Sequence, residues 1–420
     1  MTIYRVRPGD TIPSVACQNG ILPTILAAEN GLTPDAPLTE GQALLISPAA
    51  RTCHVKEGDT LLSVSRRYGV RPTRLRQLNP ALGGGDAVFP GMTLTLDKAA
   101  PPRATISVTG IVAAGTPTAA LIPTLPYLTF LAIADGRISP DGHIALPDDA
   151  ETVALARSMG VVPLLMLRAN GNGRDGEETT THALFDSDAG GERLLDTLPP
   201  LLRERGYGGV MLDLPFLTGN TADAFRLLVM RLRRRLGHSS LVMVNHTPGL
   251  SPSDPFPTVD LAPLGRAAGA LSLATYDFAS RYGAPAPHAP FDKVKAVAEE
   301  AALCVRPQKL FLGISTRSHD HPVGGGDGCV HPAADVPELV RSNGGTICYD
   351  PVARLPYASL ETNGERRILF FEDAWSLWEK LLLVDDLGIG GITLSPAASV
   401  ATSLLMTLAS AFRIVRLHGD

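Results

Sequence analysis

The stretch GYGGVMLDLPFL, residues 206–217, contains the residues whose types and spacing are best suited to chemistry. It reads as a turn followed by a buried strand, and side chains on a strand alternate between its two faces. Met211, Asp213 and Pro215 therefore share one face. Asp213 is the one titratable group in this row. The row can supply a single carboxylate, and the position two residues later can supply no proton.

Eight apolar stretches after residue 104 predict the framework that positions this row. Strands are predicted around 105–113, 127–135, 161–169, 208–214, 240–247, 270–278, 309–316 and 390–396, and helices around 149–159, 191–205, 222–236, 291–303, 373–387 and 398–412. Nearly continuous apolar strands that alternate with helices predict an α/β fold, a closed parallel TIM (β/α)8 barrel. Chemistry in such a barrel gathers at the C-terminal ends of the strands, where Asp213 falls.

The stretch 318–371 is too long for a plain loop. Its sequence predicts a small inserted α+β element that is rich in strands, with a hairpin turn at Asn363-Gly364. The predicted barrel region is 104–420, and a short Pro/Ala linker precedes it.

The first hundred residues contain an internal repeat, at residues 4–47 and 53–97. Each copy runs strand, Gly-Asp-Thr turn, two helices, loop and strand, which predicts two small βααβ domains at 1–49 and 51–98. In the second copy, Asp59 or Thr60 can cap the first helix and Gly69 can end it.

Both copies resemble LysM domains, through RPGDTIPSVA with EGQALLI and through KEGDTLLSVS with PGMTLTL. The resemblance implies binding of glycans that contain N-acetylglucosamine, such as peptidoglycan and chitin. It also implies a ligand groove between the loop after the first strand and the loop before the second. The Gly-Asp-Thr segment is equally a turn and a helix cap, and both roles use the same backbone. The implied groove residues are Gly9, Asp10, Thr11, Ile12, Asn30, Gly31 and Leu32, and in the second copy Gly58, Asp59, Thr60, Leu61, Asn79, Pro80 and Ala81.

The region after residue 104 resembles glycoside hydrolase family 18, in the branch of LysM-bearing spore cortex-lytic enzymes. The resemblance rests on LLRERGYGGVMLDLPFL, ATYDFASRYGAPAPHAPF and FFEDAWSLWEKLLLVDDLGIGGI, among other stretches. The family signature Asp-Gly-x-x-x-Asp-x-Glu falls on Gly208, Gly209, Asp213 and Pro215. In that family the Glu protonates the leaving oxygen and the Asp orients the substrate's acetamido group. Pro215 cannot be the acid and Gly208 replaces a supporting acid, so the resemblance implies a vestigial site at Asp213.

Other family positions are partly kept. Tyr276 and Asp277 match the motif after strand six, which implies that Tyr276 contacts the acetamido group. Leu394 falls near the position of a Trp that floors the sugar site in the family. With no carboxylate predicted beside it, Asp213 is expected to stay ionised near neutral pH and to be a poor acid.

Two polar stretches are candidates for a substitute acid or a metal site. The first, residues 318–332, carries imidazole, carboxylate and thiolate groups, which are metal ligands, but their spacing follows no strong motif. We favour a Gly-rich surface loop there and predict no metal or other cofactor. The second, residues 168–182, is predicted to be a mobile polar loop with Glu177 and Glu178 in solvent, and His246 is predicted to be structural. The groups of the first stretch are His319, Asp320, His321, Asp327, Cys329 and His331.

The composition of the chain excludes some classes of binding partner. A net charge of −5 argues against a nucleic-acid or anionic-membrane partner bound through bulk charge. Five scattered cysteines without a CxxC pair predict free thiols. The N-terminus has no apolar segment typical of a secretion signal, and no apolar stretch reaches membrane-spanning length. The basic run RLRRRL, residues 231–236, is interpreted as a solvated helix face.

These patterns favour a protein that binds the peptidoglycan glycan of the spore cortex or cell wall, or a chitin-like glycan, with a barrel that has lost hydrolysis. Two alternatives stay open. One is an active N-acetylglucosaminidase that cuts cortex fragments with a relocated acid. The other is a structural spore-coat protein whose barrel binds protein.

Overall fold

The computed structural model describes residues 1–186, 188–214, 219–249, 259–276, 278, 285–326, 328–362 and 364–417. Pro215, Asp277, Asp327 and Asn363 lie outside these residues. Within the described ranges, no helix is both long enough and apolar enough to cross a membrane.

The first repeat is built from β1 (Thr2–Arg5), α1 (Ile12–Gln18), α2 (Pro23–Glu29) and β2 (Ala43–Ile46), with β1 antiparallel to β2. The Thr11 hydroxyl caps α1 by accepting from the Ser14 N–H. Asn30 joins the end of α2 to β2. Its Nδ2 donates to Leu26 O at 2.8 Å, and its Oδ1 accepts from the Leu45 N–H at 2.7 Å.

The second repeat uses the same devices in β3 (Ala49–His54), α3 (Leu61–Tyr68), α4 (Pro72–Leu78) and β4 (Thr93–Lys98). Thr60 caps α3, and Gly69 ends it in the left-handed conformation that glycine adopts without strain. Asn79 bonds to Leu75 O and to both backbone groups of Thr95, as Asn30 does in the first repeat. The predicted βααβ repeat is confirmed.

The barrel begins with β5 (Ala104–Ala113), β6 (Phe130–Ile138), the short antiparallel β7 (Ile144–Ala145), β8 (Val162–Ala169), β9 (Gly209–Asp213), β10 (Leu241–His246), β11 (Ala270–Leu273) and β12 (Leu310–Ser315). The helices between them are α5 (Ala150–Ser158), α6 (Gly173–Phe185), α7 (Asp188–Arg205), α8 (Gly219–Leu236), α9 (Leu261–Ala267) and α10 (Phe291–Cys304). The helix α6 is a correction, because the sequence predicted a mobile loop there.

The insertion follows β12. It consists of β13 (Arg317–Pro322), β14 (Cys329–Pro332), α11 (Val336–Ser342), β15 (Cys348–Asp350), β16 (Leu355–Thr362) and β17 (Glu365–Phe370). The strands form one sheet in the order β14-β13-β17-β16-β15. Thr362 pairs with Glu365, so the predicted hairpin is confirmed. The Gly-rich stretch is not a plain surface loop, because β13 and β14 pair within it.

The chain then returns through α12 (Ala374–Asp386), β18 (Gly391–Ser395), α13 (Thr402–Ala411) and β19 (Phe412–Ile414). The strand β18 pairs with both β12 and β5, and β5 also pairs with β6. The ring of eight parallel strands is therefore closed, as predicted. Its interior is filled by apolar side chains that include Phe130, Leu164, Met166, Met211, Met243 and Phe311.

Both repeats dock on the barrel. Thr39 Oγ1 donates to Pro337 O at 2.7 Å, and the Ile347 N–H donates to Glu40 O at 2.9 Å. In the second repeat, Gln77 Nε2 donates to Pro126 O at 2.8 Å. The Thr39 bond is partly buried and the Gln77 bond is buried, so the repeats are held against the barrel by specific hydrogen bonds.

The two repeats are also joined to each other. Lys98 at the end of β4 forms an ion pair with Glu29 of α2, and both side chains are 3% exposed. Lys98 Nζ also donates to Ser47 O at 2.8 Å. A buried ion pair needs such additional hydrogen bonds because both charges have left water.

Candidate functional site

Asp213 lies at the C-terminal end of β9, facing the inside of the barrel. Met211, two residues earlier, is fully buried in the interior cluster. The register places Met166 beside Met211, and Met211 beside Met243. A layer of methionines therefore lies beneath Asp213. The predicted inward direction is confirmed for Met211 and Asp213, while Pro215 is outside the described residues.

The side chain of Asp213 is held by its two neighbouring strands. Asn245 Nδ2 on β10 donates to Asp213 Oδ1 at 3.0 Å. Arg168 is the register partner of Asp213 on β8, and its Nε lies 3.3 Å from Asp213 Oδ2. One carboxylate oxygen therefore accepts from an amide and the other faces a guanidinium.

Glu177 of α6 extends this charged network. Its carboxylate lies 3.3 Å from Arg168 Nη2 and 3.1 Å from Arg137 Nη1. The Glu177 side chain is only 13% exposed, so its predicted place in solvent is wrong. Folding of residues 173–185 into α6 turns Glu177 toward the two arginines, while Glu178 is 44% exposed.

Burial raises the pKa of Asp213. The positive charge of Arg168 and the Asn245 hydrogen bond oppose this shift, and the negative charge of Glu177 adds to it. The prediction that no carboxylate lies near enough to raise the pKa of Asp213 is therefore wrong. The physical reason is that α6 brings Glu177 to the same end of the barrel.

Tyr276 lies just after β11 and hydrogen-bonds Asn245 and Ser395. Burial is the main cause that raises the Tyr276 pKa to about 12. The ring packs so closely over Gly313 that a Cβ at that glycine would lie 2.6 Å from Tyr276 Cδ1. Asp213, Asn245, Tyr276 and Ser395 therefore form one connected polar cluster at the barrel mouth, and Asp277 lies outside the described residues.

Two family positions inferred from the sequence do not join this cluster. Leu394 is 2% exposed and belongs to the apolar layer between the barrel and its helices, and it is Ser395 that contacts Tyr276. Gly208 comes just before β9, at the end of the strand opposite to Asp213. The rise per residue of a strand separates the two residues by about 16 Å. A Cβ at Gly208 would lie 2.4 Å from Val162 Cγ1. Leu394 therefore does not lie at the floor of the sugar site, and position 208 does not lie beside Asp213.

The described polar groups of the histidine-rich stretch lie on the paired strands β13 and β14 of the insertion. No group of three potential ligands that could hold a metal is present among the described residues. Asp320 is paired with Arg367, and His331 lies 3.3 Å from it. His319 and His321 lie on the same face of β13 with their rings stacked at 6.4 Å. Cys329 is exposed on β14.

The implied glycan-contact residues of the repeats differ in how much of each residue a ligand could reach. The side chains of Ile12 and Leu61 are buried in the repeat cores, so only their backbones face the loops. The Asn30 and Asn79 amides are used by the backbone bonds described above. Gly9 and Thr11 in the first repeat and Gly58 and Thr60 in the second are exposed.

The acids of these loops stabilise the turns. Asp10 accepts from the Arg7 N–H at 2.8 Å and from Tyr4 Oη at 2.7 Å, and both bonds lower the pKa of Asp10. In the second repeat, the hydrogen bond from Arg67 is the largest of the effects that lower the pKa of Asp59 to about 2. The loop Asn30–Leu32 lines a cavity of about 430 Å³ that it shares with the barrel.

Comparison with known families agrees with this architecture. Residues 171–394 match the model of glycosyl hydrolases family 18, and residues 4–47 and 53–97 match the LysM domain. The chain belongs to glycosyl hydrolases family 18. It carries two LysM domains, hereafter LysM1 and LysM2, ahead of the family-18 barrel.

Several relatives match nearly the whole length of the chain. The chain is 26% identical to the cortical fragment-lytic enzyme of Bacillus anthracis, over 93% of this chain and 94% of that enzyme. It is 25% identical to the enzyme of the same name from Bacillus cereus, again over 93% and 94%. The crystal structure of the Bacillus cereus spore cortex-lytic enzyme SleL has the same fold, with a TM-score of 0.80 at 23% identity over 99% of both chains.

Sequence reasoning missed most of the side chains around Asp213. Asn245 could have been found from the alternation along MVNH, because Met243 and Asn245 share a face and His246 takes the other. Ser395 follows from the same alternation along GITLS. Arg168 and Glu177 required the register of β8 and the helical state of α6, which local patterns did not indicate.

Proposed function

We propose that this protein binds the peptidoglycan glycan of the spore cortex or cell wall and does not hydrolyse it. The observation that carries the proposal is the pairing of Asp213 with Arg168 above a layer of methionines. Pro215 removes the family's proton donor, and the described carboxylate closest to Asp213 along the network, Glu177, is engaged by two arginines. The LysM domains and the whole-chain similarity to cortical fragment-lytic enzymes support the choice of glycan.

The site can still contact a sugar. Tyr276 and Asn245 keep polar atoms beside Asp213, and the family resemblance implies that Tyr276 contacts the acetamido group. General acid catalysis is typically worth about 10²–10⁴-fold in rate. Loss of the acid therefore lowers turnover far more than it lowers sugar binding, because neutral hydrogen bonds to the sugar do not depend on the donor.

A second candidate is hydrolysis at acidic pH, favoured by the burial that raises the pKa of Asp213. A raised pKa means that Asp213 holds its proton at a higher pH than an ordinary aspartate. In this case Asp213 would itself supply the proton. Such activity would increase as pH falls, whereas a binding protein shows no turnover at any pH.

The test is a paired assay on the full chain with purified cortex peptidoglycan. We expect co-sedimentation with the insoluble polymer and no release of reducing ends between pH 4.5 and 8. Release that Asp213→Asn abolishes would establish the acid-pH enzyme instead. Absence of both retention and release would contradict glycan binding and leave the structural coat role.

A further inference from the structure

A groove of about 570 Å³ lies between LysM1 and the insertion of the barrel. Residues 3–8 form one side, residues 346–348 form the other, and Trp375 of α12 contributes an aromatic side chain. This groove, called here the junction groove, is separate from the polar cluster around Asp213, and the glycan binding proposed above does not use it.

The strand β1 lines the junction groove and is an edge strand, whereas only Cys348 of β15 lines it and the N–H of the preceding Ile347 is donated to Glu40 O. Among the described residues, β1 pairs only with β2, and β15 lies at the end of the insertion sheet, paired with β16. An edge strand presents backbone N–H and C=O groups that an extended peptide can pair with. The groove therefore offers backbone partners for a peptide as well as an aromatic side chain.

The charge of the junction groove favours an anionic ligand. Its lining side chains of Asp, Glu, Lys and Arg type are Arg5, Arg7 and Glu40. Outside the lining, the positive charge of Arg7 acts on Asp10 and that of Arg5 acts on Asp373, and each charge favours the ionised form of that carboxyl. The Arg5 guanidinium lies 4.2 Å from the Tyr349 ring centroid and 4.9 Å from that of Trp375. In the part of the chain that the structure describes, neither arginine side chain makes a hydrogen bond or a close ion pair. Planar guanidiniums with free donors match the geometry of a carboxylate.

The junction groove also continues from the loop implied in glycan binding. Pro8 lines the groove, and Gly9 begins that loop. Tyr4 Oη donates to Asp10 Oδ2 at 2.7 Å, which ties the strand beside the groove to the loop. A substituent on a sugar bound at Gly9 would therefore extend toward Arg7.

The geometry points to the junction groove as the binding site for an acidic peptide attached to the glycan, such as the peptide stem of a muropeptide. The sugar lies on the LysM1 loop, the peptide backbone runs along the edge of β1, and the peptide carboxylates meet Arg5 and Arg7. This inference rests on the proposed glycan binding and extends it from the sugar to the peptide.

The test compares two soluble ligands by calorimetry on the full chain: a muropeptide with its stem, and the same glycan after an amidase has removed the stem. The unmodified protein is expected to bind the peptide-bearing ligand more tightly. Arg7→Gln removes one exposed ion pair and should therefore weaken that binding about 1.4- to fivefold. It should leave the peptide-free glycan unaffected.

The repeat supplies a matched control. Lys56 occupies in LysM2 the position that Arg7 occupies in LysM1, and it does not line the junction groove. Lys56→Gln should change neither affinity, and Glu40→Gln should tighten the peptide-bearing ligand by removing the acid. Equal binding of both ligands, unchanged by Arg7→Gln, would overturn the inference and leave glycan binding intact. Failure to bind either ligand would instead contradict the proposed function.

Discussion

Replacing Pro215 with glutamate returns a carboxylic acid to the signature position, yet we expect Pro215→Glu alone to be a slow enzyme. The reason lies at Asp213. In the family's mechanism this aspartate must orient the acetamido group, but here its two oxygens face Asn245 Nδ2 and Arg168 Nε, at 3.0 and 3.3 Å. A substrate has to compete with Arg168 for the carboxylate.

The size of this competition follows from the separation of the charges. Two unit charges 3.3 Å apart attract by about 5 kcal/mol at an effective dielectric constant of 20. The Arg168 side chain is 34% exposed, so water replaces much of this attraction when the pair opens. A net cost of about 1–2 kcal/mol corresponds to about a five- to thirtyfold loss of rate. Pro215→Glu combined with Arg168→Gln should therefore be faster than Pro215→Glu by that factor.

The assay is the initial rate on a fluorogenic chitobioside, measured between pH 5 and 8. Pro215→Gln with Arg168→Gln is the matched control, since it has the same shape without an acid, and it should stay at background. The reasoning is refuted if Pro215→Glu alone is as fast as the double variant, because the ion pair would then cost the reaction nothing.

Further predictions concern the unmodified site and the buried charges. Purified protein should release no reducing ends from cortex fragments at neutral pH. Asp213→Asn should weaken sugar binding by no more than about tenfold, as expected for loss of one hydrogen bond. Burial holds the pKa of His288 in the folded protein well below 6.5. As pH falls below about 6.5, His288 is therefore protonated in the unfolded chain but not in the folded protein, and the free energy of unfolding decreases. Between pH 7.5 and 5.5, the free energy of unfolding measured in urea should fall by about 1.4 kcal/mol less in His288→Leu than in the unmodified protein. An equal fall in both proteins would contradict the lowered pKa of His288. Lys98→Met should cost about 3–5 kcal/mol by leaving Glu29 buried and unpaired, and adding Glu29→Met should recover most of it in the same measurement.

One variant suggested by the signature alone should fail. Gly208→Asp returns an acid to the first position of the motif, but its Cβ would meet Val162 Cγ1 at 2.4 Å. The new carboxylate would also lie at the end of β9 that is opposite to Asp213. We therefore expect lower stability and no gain in activity, and increased turnover would show that the strand rearranges.

The sequence by itself determined the repeated βααβ units, the order of the barrel strands and the inward row of Met211 and Asp213. These features depend on local signals, such as the Thr11 and Thr60 caps and the alternation of apolar residues, which act over a few residues along the chain. The match to family 18 and the replacement at Pro215 were also readable directly.

Only the tertiary structure decided what surrounds Asp213. The partners Arg168 and Asn245 come from neighbouring strands, and their contact with Asp213 depends on the barrel register, which no single segment encodes. Glu177 was predicted to be in solvent because its segment is polar, yet α6 turns it inward to two arginines. The sequence also predicted wrong positions for Leu394 and Gly208, because the register of their strands was unknown. The direction of a strand side chain reverses with each residue, so its place in a site is known only once the register is known.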